Sequence, residues 1–119
     1  MVRWRFFMHK LTILIDTPGD WSAFEDGWPD FLHQAERMPG LRREATSRVE
    51  SILYGQSAVV MMHELYFDTP DDARQALASP AGRKAGKILQ RITGGRMVLF
   101  FADHKEDELE NIRRGQQPD

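Results

Sequence analysis

Ala58-Val59-Val60-Met61-Met62-His63-Glu64-Leu65-Tyr66-Phe67, followed by Asp68-Thr69-Pro70, is the stretch that decides the fold. As a strand it has two alternate sets, Val59, Met61, Leu65, Phe67 and Ala58, Val60, Met62, Tyr66, and both are apolar. Neither side of the pleat suits bulk water. Thr69 as N-cap, Pro70 at the first helical position and Asp71 and Asp72 in the first turn then start a helix. Ser79-Pro80 repeats the start signal, so a second helical segment carries Ala81, Ala85, Ile88, Leu89 and Ile92 until Gly94-Gly95 stops it. A last strand is predicted from Arg96 to Ala102. It too is apolar on both sides, with Met97, Leu99 and Phe101 against Val98, Phe100 and Ala102.

Upstream, Trp4 to Asp16 predicts a long first strand that Thr17-Pro18-Gly19 ends. Asp20 caps a helix with the apolar face Trp21, Phe24, Trp28, Phe31, Leu32 and Ala35. Pro29 removes an amide donor and disfavours helical ψ at Trp28, so this helix is predicted to kink or split near Gly27, a break that would shape a pocket. After the turn Met38-Pro39-Gly40, Leu41 to Leu53 reads as a polar edge strand with Arg42, Glu44, Thr46, Arg48 and Glu50 on its charged side. Tyr54-Gly55-Gln56-Ser57 is predicted as a short hairpin. The resulting order, βαββαβ, is α+β and ferredoxin-like: a four-stranded antiparallel sheet with its helices on one face. The opposite face would be an apolar patch larger than the few hundred Å² a monomer tolerates, so a twofold-related copy is expected to cover it, closing a dimeric α/β barrel.

With 119 residues, one domain is expected, burying roughly 65% of the unfolded chain's surface. It is placed at 1–103, with 104–119 as a charged tail whose Lys105–Arg114 segment has the pattern for one or two helical turns, Leu109 and Ile112 on one side and a Glu110–Arg114 pair, against the plain alternative of a solvated terminus. Sixteen basic and eighteen acidic side chains leave a formal charge of −2, which argues against nucleic acid or an anionic membrane as partner. There is no cysteine, which excludes disulfides, thiolate metal sites and a cysteine nucleophile. Arg3, Arg5 and the apolar Phe6–Ile15 imitate a signal peptide, but His9, Lys10 and Asp16 interrupt the run; a strand in a cytoplasmic protein is the reading adopted.

Four blocks in order carry a family resemblance: Met38-Pro39-Gly40-Leu41-Arg42-Arg43, Glu64-Leu65-Tyr66-Phe67-Asp68, Ala76-Leu77-Ala78-Ser79-Pro80-Ala81-Gly82, and Gly94-Gly95 before an apolar strand. From about Lys10 to Ala102 the chain resembles the EthD family, called after an accessory protein of ethyl tert-butyl ether degradation. The resemblance implies a ferredoxin-like homodimer of the dimeric α/β barrel type, among whose wider relatives are cofactor-free monooxygenases, lactone isomerases and haem enzymes. Many such members carry a histidine in the first helix where this chain has Phe31. His33 is two residues away, roughly 200° around the helix, and is not expected to stand in for it.

Glu64 and Tyr66 are the candidate catalytic pair, because a carboxylate in an apolar strand is a natural base and a neighbouring phenol can orient a substrate; a structural ion pair to an arginine is the bland alternative. Trp28, Phe31, Phe24, His33 and His63 are the candidate pocket for a flat apolar molecule, between sheet and helices, although a helical aromatic stripe is more often plain core. His9 and His63 lie on neighbouring strands, but two histidines without fixed spacing do not make a metal site, and neither metal nor cofactor is expected. Met8, Met61, Met62 and Met97 are read as filling for the dimer interface. The expected function is thus a small homodimer, paired through its open sheet face, that binds a small hydrophobic organic molecule. Its enzyme version is a cofactor-independent oxidoreductase or isomerase in a degradative or biosynthetic pathway; the alternative is a non-catalytic ligand-binding or accessory protein.

Overall fold

A computed structural model describes residues 6–116. The elements run β1 (Phe6–Asp16), α1 (Trp21–Ala35), β2 (Arg43–Arg48), β3 (Val59–Phe67), α2 (Pro70–Ala78), α3 (Pro80–Thr93), β4 (Met97–Glu106) and α4 (Leu109–Gln116). The four strands form one antiparallel sheet in the order β2-β3-β1-β4, the ferredoxin-like arrangement expected from the element order. Leu11 pairs with Leu65 and Phe101, and Ile13 with His63 and Leu99. Period-two alternation therefore sends Leu11, Ile13, Ile15, Leu65 and Phe67 toward the helices, where they are buried with Phe24, Phe31, Ala35, Leu89 and Ile92.

The caps are where the sequence puts them. The Asp20 carboxylate accepts from the Ala23 amide at 3.1 Å, Thr69 Oγ1 from Asp72 at 3.1 Å, and Ser79 Oγ from Gly82 at 3.0 Å. The expected break in α1 does not occur: the helix continues through Pro29 to Ala35. One lost amide bond is offset by the burial of Phe24, Gly27, Phe31 and Ala35 along the same face. Gly27 has a different role from the one expected. A Cβ there would lie 2.3 Å from Ile92 Cγ2, so glycine lets α1 and α3 approach closely.

The strand ends also differ from the sequence reading. β2 stops at Arg48 rather than Leu53, and residues 49–58 form a loop instead of a tight hairpin. The last rung is the bond from the Val49 amide to the Val60 carbonyl, 3.0 Å, because β3 begins only at Val59 and offers nothing for 50–53 to pair with. β4 runs past Ala102 to Glu106, since β1 is long enough to pair with it as far as Phe6 opposite Glu106. Trp4 and Arg5, part of the predicted first strand, lie outside the described residues. The tail helix α4 carries the Glu110–Arg114 pair at 3.9 Å. Among the described residues no helix is long and apolar enough to cross a membrane.

Candidate functional site

The register separates the candidate residues. His63 lies opposite Ile13 and Thr46, on the helix side, whereas Glu64 and Tyr66 lie opposite Thr12 and Lys10 on the open face. The catalytic pair and the aromatic pocket expected to work together are thus on opposite sides of one sheet, because neighbouring residues of a strand point apart. The methionines divide likewise: Met61 and Met97 pack against the core, while Met8 and Met62 share the parity of the open face, so interface filling is not common to all four.

On the helix side the rings of Phe24, Trp28 and Phe31 stack in series at 5.5 and 4.9 Å, and Trp28 and Phe31 meet the edge of the His63 imidazole at 5.3 and 5.8 Å. His63 is 0% exposed. His33 is exposed on the far side of the helix and does not join them. The imidazole is therefore next to ring 31 but comes from β3. Its Nδ1 lies 2.8 Å from Thr46 Oγ1, and its Nε2 is 3.3 Å from Glu44 Oε2, close but poorly aligned for a hydrogen bond. Burial pushes the His63 pKa down to about 4, so the ring is neutral at physiological pH. Burial, aided by a hydrogen bond and like charge from Glu36 at the end of α1, pushes the Glu44 carboxyl up to about 7. Hydroxyl, neutral imidazole and a half-ionised carboxyl follow one another in a line.

That line begins at a cleft. Trp21, Thr46, Arg48, Val49, Glu50, Val60 and Met61 surround an open space of about 670 Å³, within the size range of small-molecule sites. Its walls mix an indole and three aliphatic side chains with a hydroxyl and two charges. Between sheet and helices, where a pocket was expected, the described residues enclose an apolar crevice of about 30 Å³ between residues such as Phe31, Leu65 and Leu89, opening beside Gly86 and Leu99. That is room for little more than one water. Thr46 and Glu44 escaped the sequence reading because alternating charge on an edge strand looks like solvated surface. The available signal was that Glu44, Thr46 and Arg48 share a parity, but only the β2–β3 register shows that this parity faces His63.

The open face carries a second polar group. Lys10 Nζ and Glu64 Oε2 form a tight ion pair, and Tyr66 Oη donates to the same oxygen at 3.3 Å. The Arg43 guanidinium lies 4.2 Å above the Tyr66 ring and donates to Glu106 Oε1 at 2.9 Å; His104 Nε2 is 2.6 Å from that oxygen. His104 and Arg43 hold the Glu106 carboxyl below the usual carboxylate range. Glu64 is tied to a lysine rather than an arginine, and this end of the sheet face is a closed set of ion pairs. The other end, with Leu14, Met62, Val98 and Phe100, is apolar. His9 sits against Phe101 at 5.3 Å and is paired with Phe67, four residues along β1 from the partner of His63. Among the described residues no three histidine or carboxylate side chains converge as a metal site would require.

No protein-family model matches the chain. It is 25% identical over 99 residues to an uncharacterized 11.0 kDa protein of the thcB-thcC intergenic region of Rhodococcus erythropolis, an alignment covering 82% of this chain and 96% of that protein. The crystal structure of an ethyl tert-butyl ether d (EthD) family protein from Bacillus halodurans superposes with a TM-score of 0.74 at 26% identity, covering 82% and 98% of the two chains. A dimeric ferredoxin-like protein of unknown function from Thermobifida fusca matches with a TM-score of 0.62 at 13% identity, covering 82% and 91%. SnoaB, a cofactor-independent oxygenase from Streptomyces nogalater, matches with a TM-score of 0.58 at 14% identity, covering 86% and 94%. The last two share the fold with this chain.

Proposed function

The chain is EthD-like with a ferredoxin-like fold, and from that premise we propose that it works as a homodimer, paired through its open sheet face, that binds a small and largely apolar organic molecule in the cleft between Trp21 and Thr46. The proposed setting is the cytoplasm. The proposed chemistry is the proton withdrawal that opens cofactor-independent oxidation or isomerisation of a phenol or enol, in keeping with the oxygenase among its structural neighbours. One observation carries the reading: Thr46, His63 and Glu44 lead from the cleft to a carboxyl poised near neutral pH. As the substrate hydroxyl gives its proton to Thr46 Oγ1, Thr46 passes its own to His63 Nδ1, and the proton on Nε2 goes to the Glu44 carboxylate, 3.3 Å away, once ligand binding turns the two into line. The substrate is left as its oxyanion, which is reprotonated at carbon in an isomerisation or meets dioxygen in an oxygenation. Trp21, Val49, Val60 and Met61 hold the apolar body. Glu64 and Tyr66, assigned to catalysis from the sequence, become part of the dimer face.

The second reading, a ligand-binding or accessory protein without catalysis, is favoured by Phe31. It stands where the EthD resemblance has a histidine, buried against Trp28 and His63.

Titration with 1-naphthol separates these readings. Binding is expected to quench tryptophan fluorescence and to weaken about tenfold in Trp21→Ala, which loses an aromatic wall. At neutral pH in D2O the ring hydrogens of bound naphthol ortho and para to its hydroxyl are expected to exchange faster, by way of the transient anion, with the wild type than with Glu44→Gln, read by proton NMR. Binding with equal exchange in both proteins overturns proton withdrawal and leaves the accessory reading; no binding at all overturns the ligand. The pairing has its own check, because Val98 and Phe100 are solvent-exposed on the open face, 54% and 42%. Phe100→Asp is expected to convert a sedimenting dimer to a folded monomer by placing a charge in an apolar contact. A variant that still sediments as a dimer would move the interface elsewhere.

A further inference from the structure

Resting on the homodimer just proposed, we propose that the tip of the β2–β3 loop of one copy, Ile52-Leu53-Tyr54, covers the outer apolar strip of β4 on the other copy and seals the crevice that opens there. Two observations on this one chain complement each other. Leu53 and Tyr54 are 94% and 98% exposed, an apolar tip that touches almost nothing in its own protomer. On the helix side of β4, Leu99 and Phe101 are left 42% and 41% exposed, beside the exposed Gly86 of α3 at the mouth of the 30 Å³ crevice. Pairing through the open sheet face covers neither, because this strip faces the opposite way.

The topology brings tip and strip together. β2 and β4 are the two edges of the sheet. Stacking two copies face to face about a twofold axis along the strands sets β2 of each beside β4 of the other. β2 is antiparallel to β3, β3 to β1 and β1 to β4, so β2 ends, at Arg48, at the same end of the sheet where β4 begins, at Met97. The loop of residues 49–58 thus leaves β2 next to the start of the other copy's β4. Half of such a loop reaches about 15 Å when extended, which spans the roughly 10 Å between stacked sheets and leaves a few ångströms to bend over the edge strand β4. Val49 and Glu50, at the root of the same loop, line the cleft of their own protomer. A ligand there and the partner's β4 are held by two ends of one segment, and each crevice is incomplete without the other copy.

The test places a photoreactive benzophenone amino acid at position 54 in an equal mixture of unlabelled and ¹⁵N-labelled protein. The expected product is a covalent dimer whose cross-linked peptide lies within residues 83–106 of the other isotopic copy. Cross-links confined to one copy, or to another region of the second copy, overturn the proposal, as does their absence in a sample that sediments as a dimer. A sample that sediments as a monomer overturns the homodimer itself, a distinguishable failure. As a second measurement, Leu53→Ser with Tyr54→Ser is expected to remain dimeric while fluorescence of the apolar dye 1-anilinonaphthalene-8-sulfonate rises about threefold, the strip being uncovered; unchanged dye fluorescence counts against the contact.

Discussion

Gly82→Ala is expected to lower the stability of the folded chain by about 3 kcal/mol, a drop of roughly 10 °C in Tm, read by thermal or urea unfolding. A Cβ at Gly82 would lie 2.2 Å from the Ala76 carbonyl oxygen, 2.7 Å from that of Leu77 and 2.8 Å from Leu77 Cα. All three are backbone atoms at the corner between α2 and α3, and a backbone cannot swing aside as a side chain can. Ser79 fixes that corner from both directions: its hydroxyl donates to the Ala76 carbonyl at 2.6 Å and accepts from the Gly82 amide at 3.0 Å. Relieving the clash therefore means giving up a cap as well. Gly86→Ala is the matched control. It lies one turn further along the same helix with nothing within 4 Å of its would-be Cβ, and the substitution is expected to stabilise by about 0.5–1 kcal/mol through helix propensity. Equal effects at the two positions would show that the α2–α3 corner is looser than described.

Glu44→Gln is expected to make the stability of the chain fall more steeply between pH 6.5 and 4.5 than that of the wild type. His63, with its pKa near 4 when folded, takes up a proton on unfolding at any pH between there and its ordinary 6.5, so its contribution to stability is lost as pH falls through that window. Glu44 has the opposite sign. Its pKa is raised from 4.5 to about 7, so its contribution is greatest below 4.5 and is lost as pH rises toward 7. Between 4.5 and 6.5 one group gains a proton on unfolding while the other loses one, and the two slopes cancel. Glutamine keeps the size of Glu44 and removes its titration, leaving the His63 slope of up to about 1.4 kcal/mol per pH unit, roughly 2–3 kcal/mol across the window. Urea unfolding at pH 6.5 and 4.5, compared between variant and wild type, measures the difference. Parallel pH dependences in the two proteins would mean that the carboxyl and the imidazole do not exchange protons with the solvent as described, and the relay from Thr46 would go with them.

Part of this site was legible beforehand. His63 and the aromatic helix face were both pocket candidates, and the two-sided apolar strands already asked for a partner. What could not be read was which candidates meet. Glu64 and His63 are adjacent in sequence and lie on opposite sheet faces, whereas Thr46 and His63, 17 residues apart, share a hydrogen bond. Pro29 illustrates the converse limit: the local rule for a proline inside a helix is sound, but a continuous buried face on α1 outweighs one lost hydrogen bond.

The chain's own pattern determined the element order, the helix caps at Asp20, Thr69 and Ser79 and the ferredoxin-like topology, because these follow from short-range periodicity and from backbone groups that must be satisfied within a few residues. Tertiary structure alone decided the strand ends, the cleft beside Thr46 and the placing of Thr46 and Glu44 on either side of the His63 ring. Those depend on the register between β2 and β3, and a shift of one residue in that register would turn Glu44 and Thr46 to the other face.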